Sequence, residues 1–137
     1  MVDTLTRAQR SARMSLVKGK HTKPELRARR IVSSLGLRYR LHGAKLPGRP
    51  DMVFGSRNKV LFVHGCFWHR HPACPNTRLP KSKLAFWKPK LLGNRRRDLR
   101  NQTALRKLGW RFLVIWECEL ARPTEVAERV AAFISAK

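Results

Sequence analysis

The apolar run Val60-Leu61-Phe62-Val63 passes directly into His64-Gly65-Cys66-Phe67-Trp68-His69-Arg70-His71-Pro72-Ala73-Cys74, and few folds tolerate that junction. A strand that is apolar on both faces must be covered on both sides, which places it inside a sheet with helices above and below. This one delivers three histidines, two cysteines and two adjacent aromatics to its own end. Packing alone does not call for five metal-binding or proton-transfer groups in so short a stretch, so the strand end is read as a site.

At 137 residues the chain fits one domain with a real core. Its 31 Lys and Arg against 8 Asp and Glu give a net charge of +23, which repels itself unless a polyanion offsets it, and nucleic acid is the expected partner. A membrane is not: no apolar run approaches the roughly 20 residues of a spanning helix, and Met1 to Arg13 lacks the apolar centre of a signal peptide. The chain is expected to be a soluble, monomeric, cytoplasmic protein associated with the nucleoid. Cys66, Cys74 and Cys118 cannot all pair within one chain, which leaves metal ligation or free thiols.

Residues 1–20 are basic and small, without a stable period, and are expected to form a flexible basic arm ahead of a single domain over 21–137. Thr22-Lys23-Pro24-Glu25 has capping-box form and opens a helix over 23–35, with Leu26, Ala28, Ile31, Val32 and Leu35 on one face and Gly36 as its stop. Leu37 to Leu41 alternates as a half-exposed strand. Gly43, Pro47, Gly48 and Pro50 mark a loop. Asp51–Phe54 and Lys59–Val63 are strands joined by the turn residues Gly55 to Asn58. A helix is expected over Leu84 to Lys107, interrupted near Pro89 or Gly93, then a strand over Phe112 to Trp116 and an amphipathic helix over Pro123 to Ala136. The order α-β-β-β-α-β-α is an α/β fold around a small mixed sheet.

Cys66 and His71 with Cys74 make a C-x4-H-x2-C set, and Cys118 follows the strand ending at Trp116, so one sheet end can gather all four into a closed tetrahedral zinc site. The other reading keeps Cys118 as a buried small hydrophobe and the remaining two as thiols. Asp51, one of only eight acids, begins a strand beside this segment and suits a hard cation such as Mg2+. His64 and His69 flank Cys66 and can move protons near neutral pH. Glu25 is accounted for by the capping box.

Pro47-Gly48-Arg49-Pro50-Asp51, His64-Gly65-Cys66-Phe67-Trp68-His69, Phe86-Trp87 with Asn94 and Arg97-Asp98, Gly109-Trp110-Arg111 and Trp116-Glu117-Cys118-Glu119 resemble the very short patch repair (Vsr) endonucleases over about Met14 to Leu120. The resemblance implies a restriction-endonuclease-like, three-layer α/β fold with a central mixed sheet, flanking helices and a structural zinc. It implies an enzyme that nicks one strand 5′ of the T in a T:G mismatch, such as deamination of 5-methylcytosine leaves, using one or two Mg2+. A mismatch-repair scaffold protein and a repair polymerase are the implied protein partners. By resemblance Asp51 holds Mg2+, while Glu25, His64 and His69 hold waters on the metal or transfer protons. Cys66, His71, Cys74 and Cys118 take the zinc. The pattern PD…(D/E)xK of the wider nuclease superfamily is only half present: Pro50-Asp51 stands, but the next strand ends in Val63, His64 and Gly65. In the family the backbone carbonyl at the Val63 position binds metal and histidines replace the lysine. The rival readings are a restriction-type nuclease with another DNA target and a zinc-stabilised module that binds DNA without cutting it.

Phe67, Trp68 and Trp87 lie among polar and basic groups, where aromatics can part stacked bases, although aromatics are also ordinary core. The resemblance makes them a wedge driven in from the major groove, with Met14 entering from the minor groove and Lys90 and Asn94 reading the mispaired bases. Arg27, Arg29, Arg30, Arg95, Arg96, Arg97 and Arg100 are expected on phosphates.

Overall fold

The computed structural model describes residues 22–79 and 82–136. The arm over 1–20, and Met14 with it, lies outside them. Among the described residues three helices, α1 (Lys23–Ser34), α2 (Leu84–Lys107) and α3 (Pro123–Ser135), enclose four strands, β1 (Arg40–Leu41), β2 (Met52–Phe54), β3 (Lys59–His64) and β4 (Arg111–Trp116). The expected element order holds. The sheet order is β1-β2-β3-β4, with β1–β2 and β2–β3 antiparallel and β3–β4 parallel. β3 is interior, as its unbroken apolar run requires.

Alternation along the strands sorts the core into two layers. Met52 and Phe54 of β2, Leu61 of β3 and Ile115 of β4 meet Ala28 and Val32 of α1 and Val126, Val130 and Ile134 of α3 on one face. Val60 and Phe62 meet Leu105 of α2 on the other, with Val53, Phe112 and Val114 packed alongside. Burying each such Leu, Ile or Val removes apolar surface worth roughly 1.5–3 kcal/mol, so the sheet and both helix layers hold one another. β3 starts with an unexpected buried lysine. Lys59 Nζ donates to the carbonyls of Phe133 (2.6 Å), Ile134 (3.0 Å) and Ala136, satisfying the open C-terminus of α3.

Several sequence expectations shift. α1 buries only Glu25, Ala28 and Val32, while Leu26 (39%) and Leu35 (36%) stay exposed, because the helix shares its face of the sheet with α3 and needs only a narrow stripe. Gly36, at φ +73°, ends it in the left-handed conformation that glycine favours. The strand over 37–41 shrinks to Arg40–Leu41, although Leu37 and Tyr39 still pack inward. α2 runs unbroken through Pro89 and Gly93. Pro89 lies in the second turn, where the carbonyl it leaves unpaired belongs to exposed Ala85 and water can take it, so the proline costs less than in a buried helix interior. No helix among the described residues is long and apolar enough to cross a membrane.

Candidate functional site

Strand register gathers the chemistry at one end of the sheet. Antiparallel pairing of Met52 with Leu61 sets the start of β2 beside the end of β3, so Asp51 reaches Val63, whose N–H donates to Asp51 Oδ2 at 2.6 Å. Parallel pairing of His64 with Trp116 ends β3 and β4 level, and two residues further on each chain stand Cys66 and Cys118. The ends of parallel strands are where α/β sheets place their sites.

Three groups of donor side chains result, each with its ligand atoms within 4.8 Å of one another: Glu25, His42 and Asp51; His64, His69 and Asp98; and Cys66, His71, Cys74 and Cys118. Thr22 Oγ1 accepts from the Glu25 N–H at 3.4 Å, as a capping box requires. The buried carboxylate is engaged elsewhere, which corrects the capping-box reading of Glu25: Oε1 accepts from Arg29 Nη2 at 2.8 Å and lies against His42 Nε2. Arg29 therefore turns inward, away from the phosphate role expected of it. Burial pushes the Asp51 carboxyl up to about 6, with Glu25 adding to the rise and the Val63 N–H opposing it. Two carboxylates and an imidazole in one cleft fit a divalent cation, since oxygen donors suit Mg2+ and Mn2+.

In the second group the rings of His64 and His69 stack with centroids 4.0 Å apart, and His69 Nδ1 meets Asp98 Oδ2 at 2.6 Å. A carboxylate only accepts, so Nδ1 carries the proton and Nε2 is left as the working nitrogen of His69. Burial, then the neighbouring His69, lower His64 to about 3. At neutral pH His64 is an uncharged imidazole that can accept a proton or support a ligand.

The third group has the donors of a structural zinc site. Cys118 N–H donates to Cys66 Sγ at 3.4 Å, and Cys118 Sγ lies 3.4 Å from His71 Nδ1. Burial and the adjacent thiols push Cys118 up to about 12, and burial, with the Cys74 thiol, raises Cys66 against the lowering effect of its hydrogen bonds from Cys118. Crowded thiols that resist ionising together are the arrangement a dication relieves. Trp116 stacks on His71 at 4.3 Å and sets its edge on His64 at 5.2 Å, bridging this corner to the histidines.

Phe67, Trp68 and Trp87 form a triangle of rings 5.2–5.8 Å apart, half-exposed, with Phe86 beside Trp87. Lys90 Nζ lies 5.9 Å from the Trp68 ring, and Asn94 Nδ2 donates to the Trp68 carbonyl at 3.2 Å. Both thus brace the aromatic cluster. Arg96, Arg97 and Arg100 on α2, with Arg27 and Arg30 on α1, remain exposed.

Sequence reasoning gave no role to His42 and Asp98. The usable signal was scarcity: in a chain with 8 acids and 5 histidines, each that lies next to a motif merits a role.

The family model for the DNA mismatch endonuclease Vsr matches residues 2–76. The type II nicking enzyme V.XorIIP of Xanthomonas oryzae pv. oryzae is 50% identical over 121 residues, covering 88% of each chain. The DNA mismatch endonuclease Vsr of Escherichia coli is 40% identical over 120 residues, covering 88% of this chain and 76% of its own. Among solved structures, the catalytic domain of the homing endonuclease I-Bth0305I superposes with a TM-score of 0.58 at 19% identity, over 82% of this chain and 94% of that one, and bears out the nuclease fold. With its mixed sheet, its donor groups at one sheet end and these relatives, the chain is a DNA endonuclease and belongs to the Vsr family.

Proposed function

We propose that this endonuclease nicks one strand 5′ of the T in a T:G mismatch, the lesion left by deaminated 5-methylcytosine, by Mg2+-dependent hydrolysis that yields a 5′-phosphate and a 3′-hydroxyl. The observation that carries this reading is the aromatic triangle: Phe67 and Trp68 sit on the same short loop as His69, so the wedge and the proton-transfer groups move as one piece. Parting a base step costs a few kcal/mol and costs least where pairing is already faulty, which links insertion to the mismatch. The nicking activity named for several relatives supports scission of one strand.

Mg2+, one or two ions, supplies Lewis-acid stabilisation of the charge that develops on the phosphate oxygens. Asp51, with Glu25 and the Val63 carbonyl, forms its seat, and the Val63 N–H fixes the Asp51 carboxylate. His69 exchanges a proton through Nε2, and Asp98 holds it in that tautomer. His64, uncharged at neutral pH, accepts a proton or supports a water. Cys66, His71, Cys74 and Cys118 bind structural zinc. Met14 enters from the minor groove, Lys90 and Asn94 read the mispaired bases, and the exposed arginines meet phosphates. The setting is the cytoplasmic nucleoid, the acting unit a monomer, and its partners are a mismatch-repair scaffold protein and a repair polymerase.

A strand-resolved nicking assay on matched and T:G duplexes tests the reading. Nicking confined to the T strand of T:G is the expected result, and equal rates on both duplexes would return the restriction-type nuclease. Asp98→Asn replaces a carboxylate that can only accept by an amide that can also donate, so neither the negative charge nor the Nδ1–H tautomer of His69 is enforced, and nicking should slow by roughly a hundredfold with DNA affinity unchanged, measured by single-turnover rates and by binding without Mg2+. A rate within threefold of wild type would remove Asp98 from the mechanism.

A further inference from the structure

His42 is tied to Asp51 through the backbone, because its N–H donates to the Asp51 carbonyl at 3.1 Å just past the end of β1. It adopts φ +51°, a left-handed conformation that His, Asn and Asp enter more readily than bulkier residues. From there Nε2 directs its proton at Glu25 Oε1 and lies within 4.8 Å of the ligand atoms of both Glu25 and Asp51, so moving that proton to Nδ1 turns the Nε2 lone pair toward the two carboxylates. The half-buried ring thus stands inside the cleft where the two carboxylates converge.

We infer that His42 Nε2 is a direct ligand of the cation held by Asp51 and Glu25, which makes the seat a mixed nitrogen and oxygen site that binds Mn2+ or Co2+ in preference to Mg2+. Charge supports this assignment. Arg29 Nη2 sits 2.8 Å from Glu25 Oε1 and 3.3 Å from His42 Nε2, so its guanidinium offsets one of the two carboxylates. Mg2+ is a hard ion that relies on charged oxygens and gives up its waters reluctantly, so a seat with one carboxylate offset holds it through Asp51 but more weakly than an ion that also takes nitrogen. An imidazole adds a donor whose bond strengthens along the series from Mn2+ to Co2+ and Ni2+ without requiring further negative charge. The inference rests on the proposed role of Asp51 and adds a ligand to it.

The test uses the full chain, loaded with zinc so that the cysteine site is filled, at pH 8. Mn2+ binding is followed by electron paramagnetic resonance with Mg2+ as competitor, and pulsed measurement reads the nitrogen modulation of a coordinated imidazole. His42→Gln keeps a hydrogen-bonding group toward Glu25, and His42→Asn keeps a residue suited to the left-handed backbone. In the wild type Mn2+ is expected to bind at least about tenfold more tightly than Mg2+. Both variants should lose about ten- to a hundredfold in Mn2+ affinity, keep Mg2+ affinity within about threefold, and lose the nitrogen signal. Unchanged Mn2+ affinity with a persisting nitrogen signal in both variants would overturn the inference and leave His42 as a prop for Glu25. Asp51→Asn separates the two levels. If it abolishes binding while the His42 variants do nothing, the cation seat stands and only its nitrogen ligand falls; if Asp51→Asn leaves Mn2+ bound, the role of Asp51 itself falls.

Discussion

Asp51→Asn should abolish nicking and, in the same protein, raise the stability of the Mg2+-free fold at neutral pH. The loss of activity follows from removing the only charged oxygen that β2 brings to the end of β3, and a fall of about a thousandfold or more is the expected scale for losing several kcal/mol of charge stabilisation. DNA affinity should stay within about tenfold, since Asp51 adds nothing to the basic surface that holds phosphate. The gain in stability follows from proton linkage. Burial raises the Asp51 carboxyl from 3.8 to about 6, so the folded chain keeps the proton over a range where the unfolded chain has released it. Its contribution is favourable below pH 4 and is lost as pH rises through 6, which leaves a cost on the order of 1–3 kcal/mol at pH 7 and above. Asparagine carries no charge to desolvate and still offers an oxygen to the Val63 N–H. Denaturant unfolding of zinc-loaded, Mg2+-free protein should therefore show the variant more stable at pH 8 and equal to wild type at pH 4. Equal midpoints at both pH values would mean that Asp51 is not strained by its burial, and retained nicking would remove it from the mechanism. Added Mg2+ should narrow the gap at pH 8 by stabilising wild type alone.

The parts legible in the sequence were those governed by local rules. Apolar alternation and turn chemistry located β2, β3 and β4 because each strand's burial follows from its own residues, and the Cys and His spacing pointed to a metal corner because one loop carries three of its four donors. What stayed hidden depends on register between distant elements. His42 reaches Glu25 only because a loop closed by the bond from the Gly43 N–H to the Pro50 carbonyl sets it beside the start of β2. Asp98 reaches His69 only because α2 crosses the sheet end, and its charge in an arginine-rich helix reads locally as surface neutralisation. The capping box misled for a related reason: the motif explains the Glu25 N–H, while its carboxylate answers to Arg29 and His42. Intrinsic propensity predicts a break near Pro89 or Gly93 because it ignores where in the helix the lost bond falls.

Removing the proposed zinc should melt the loop that carries Phe67 and Trp68 while leaving the sheet and its helices folded. Between Gly65 and Leu79 the only buried residues are Cys66 and Cys74, so this segment has no apolar core apart from the thiols that would hold the ion. Both core layers, by contrast, are built without any cysteine. A structural zinc contributes on the order of 10 kcal/mol to the fold it closes, far more than the few hydrogen bonds that otherwise hold the loop in place. Those bonds are the His69 N–H to Gly65 and the His71 N–H to Cys66 within the loop, the Cys118 N–H to Cys66 Sγ, and two with α2, from His69 Nδ1 to Asp98 and from Asn94 Nδ2 to the Trp68 carbonyl. Chelation, or Cys118→Ala, should therefore open residues 65–79 to protease while far-ultraviolet circular dichroism keeps its helical signal. Tryptophan emission should shift to the red as Trp68 and Trp116 lose their ring partners. Nicking should fall by at least about a hundredfold even with Mg2+ in excess, because His69 and the aromatic triangle are displaced together from Asp51. Metal analysis of the purified protein should find about one zinc per chain. A zinc-free chain that resists cleavage over 65–79 and keeps its emission would show that the cysteines pack as small hydrophobes, and the coupling of wedge to cleavage groups would then have to come from Trp116 and α2 alone.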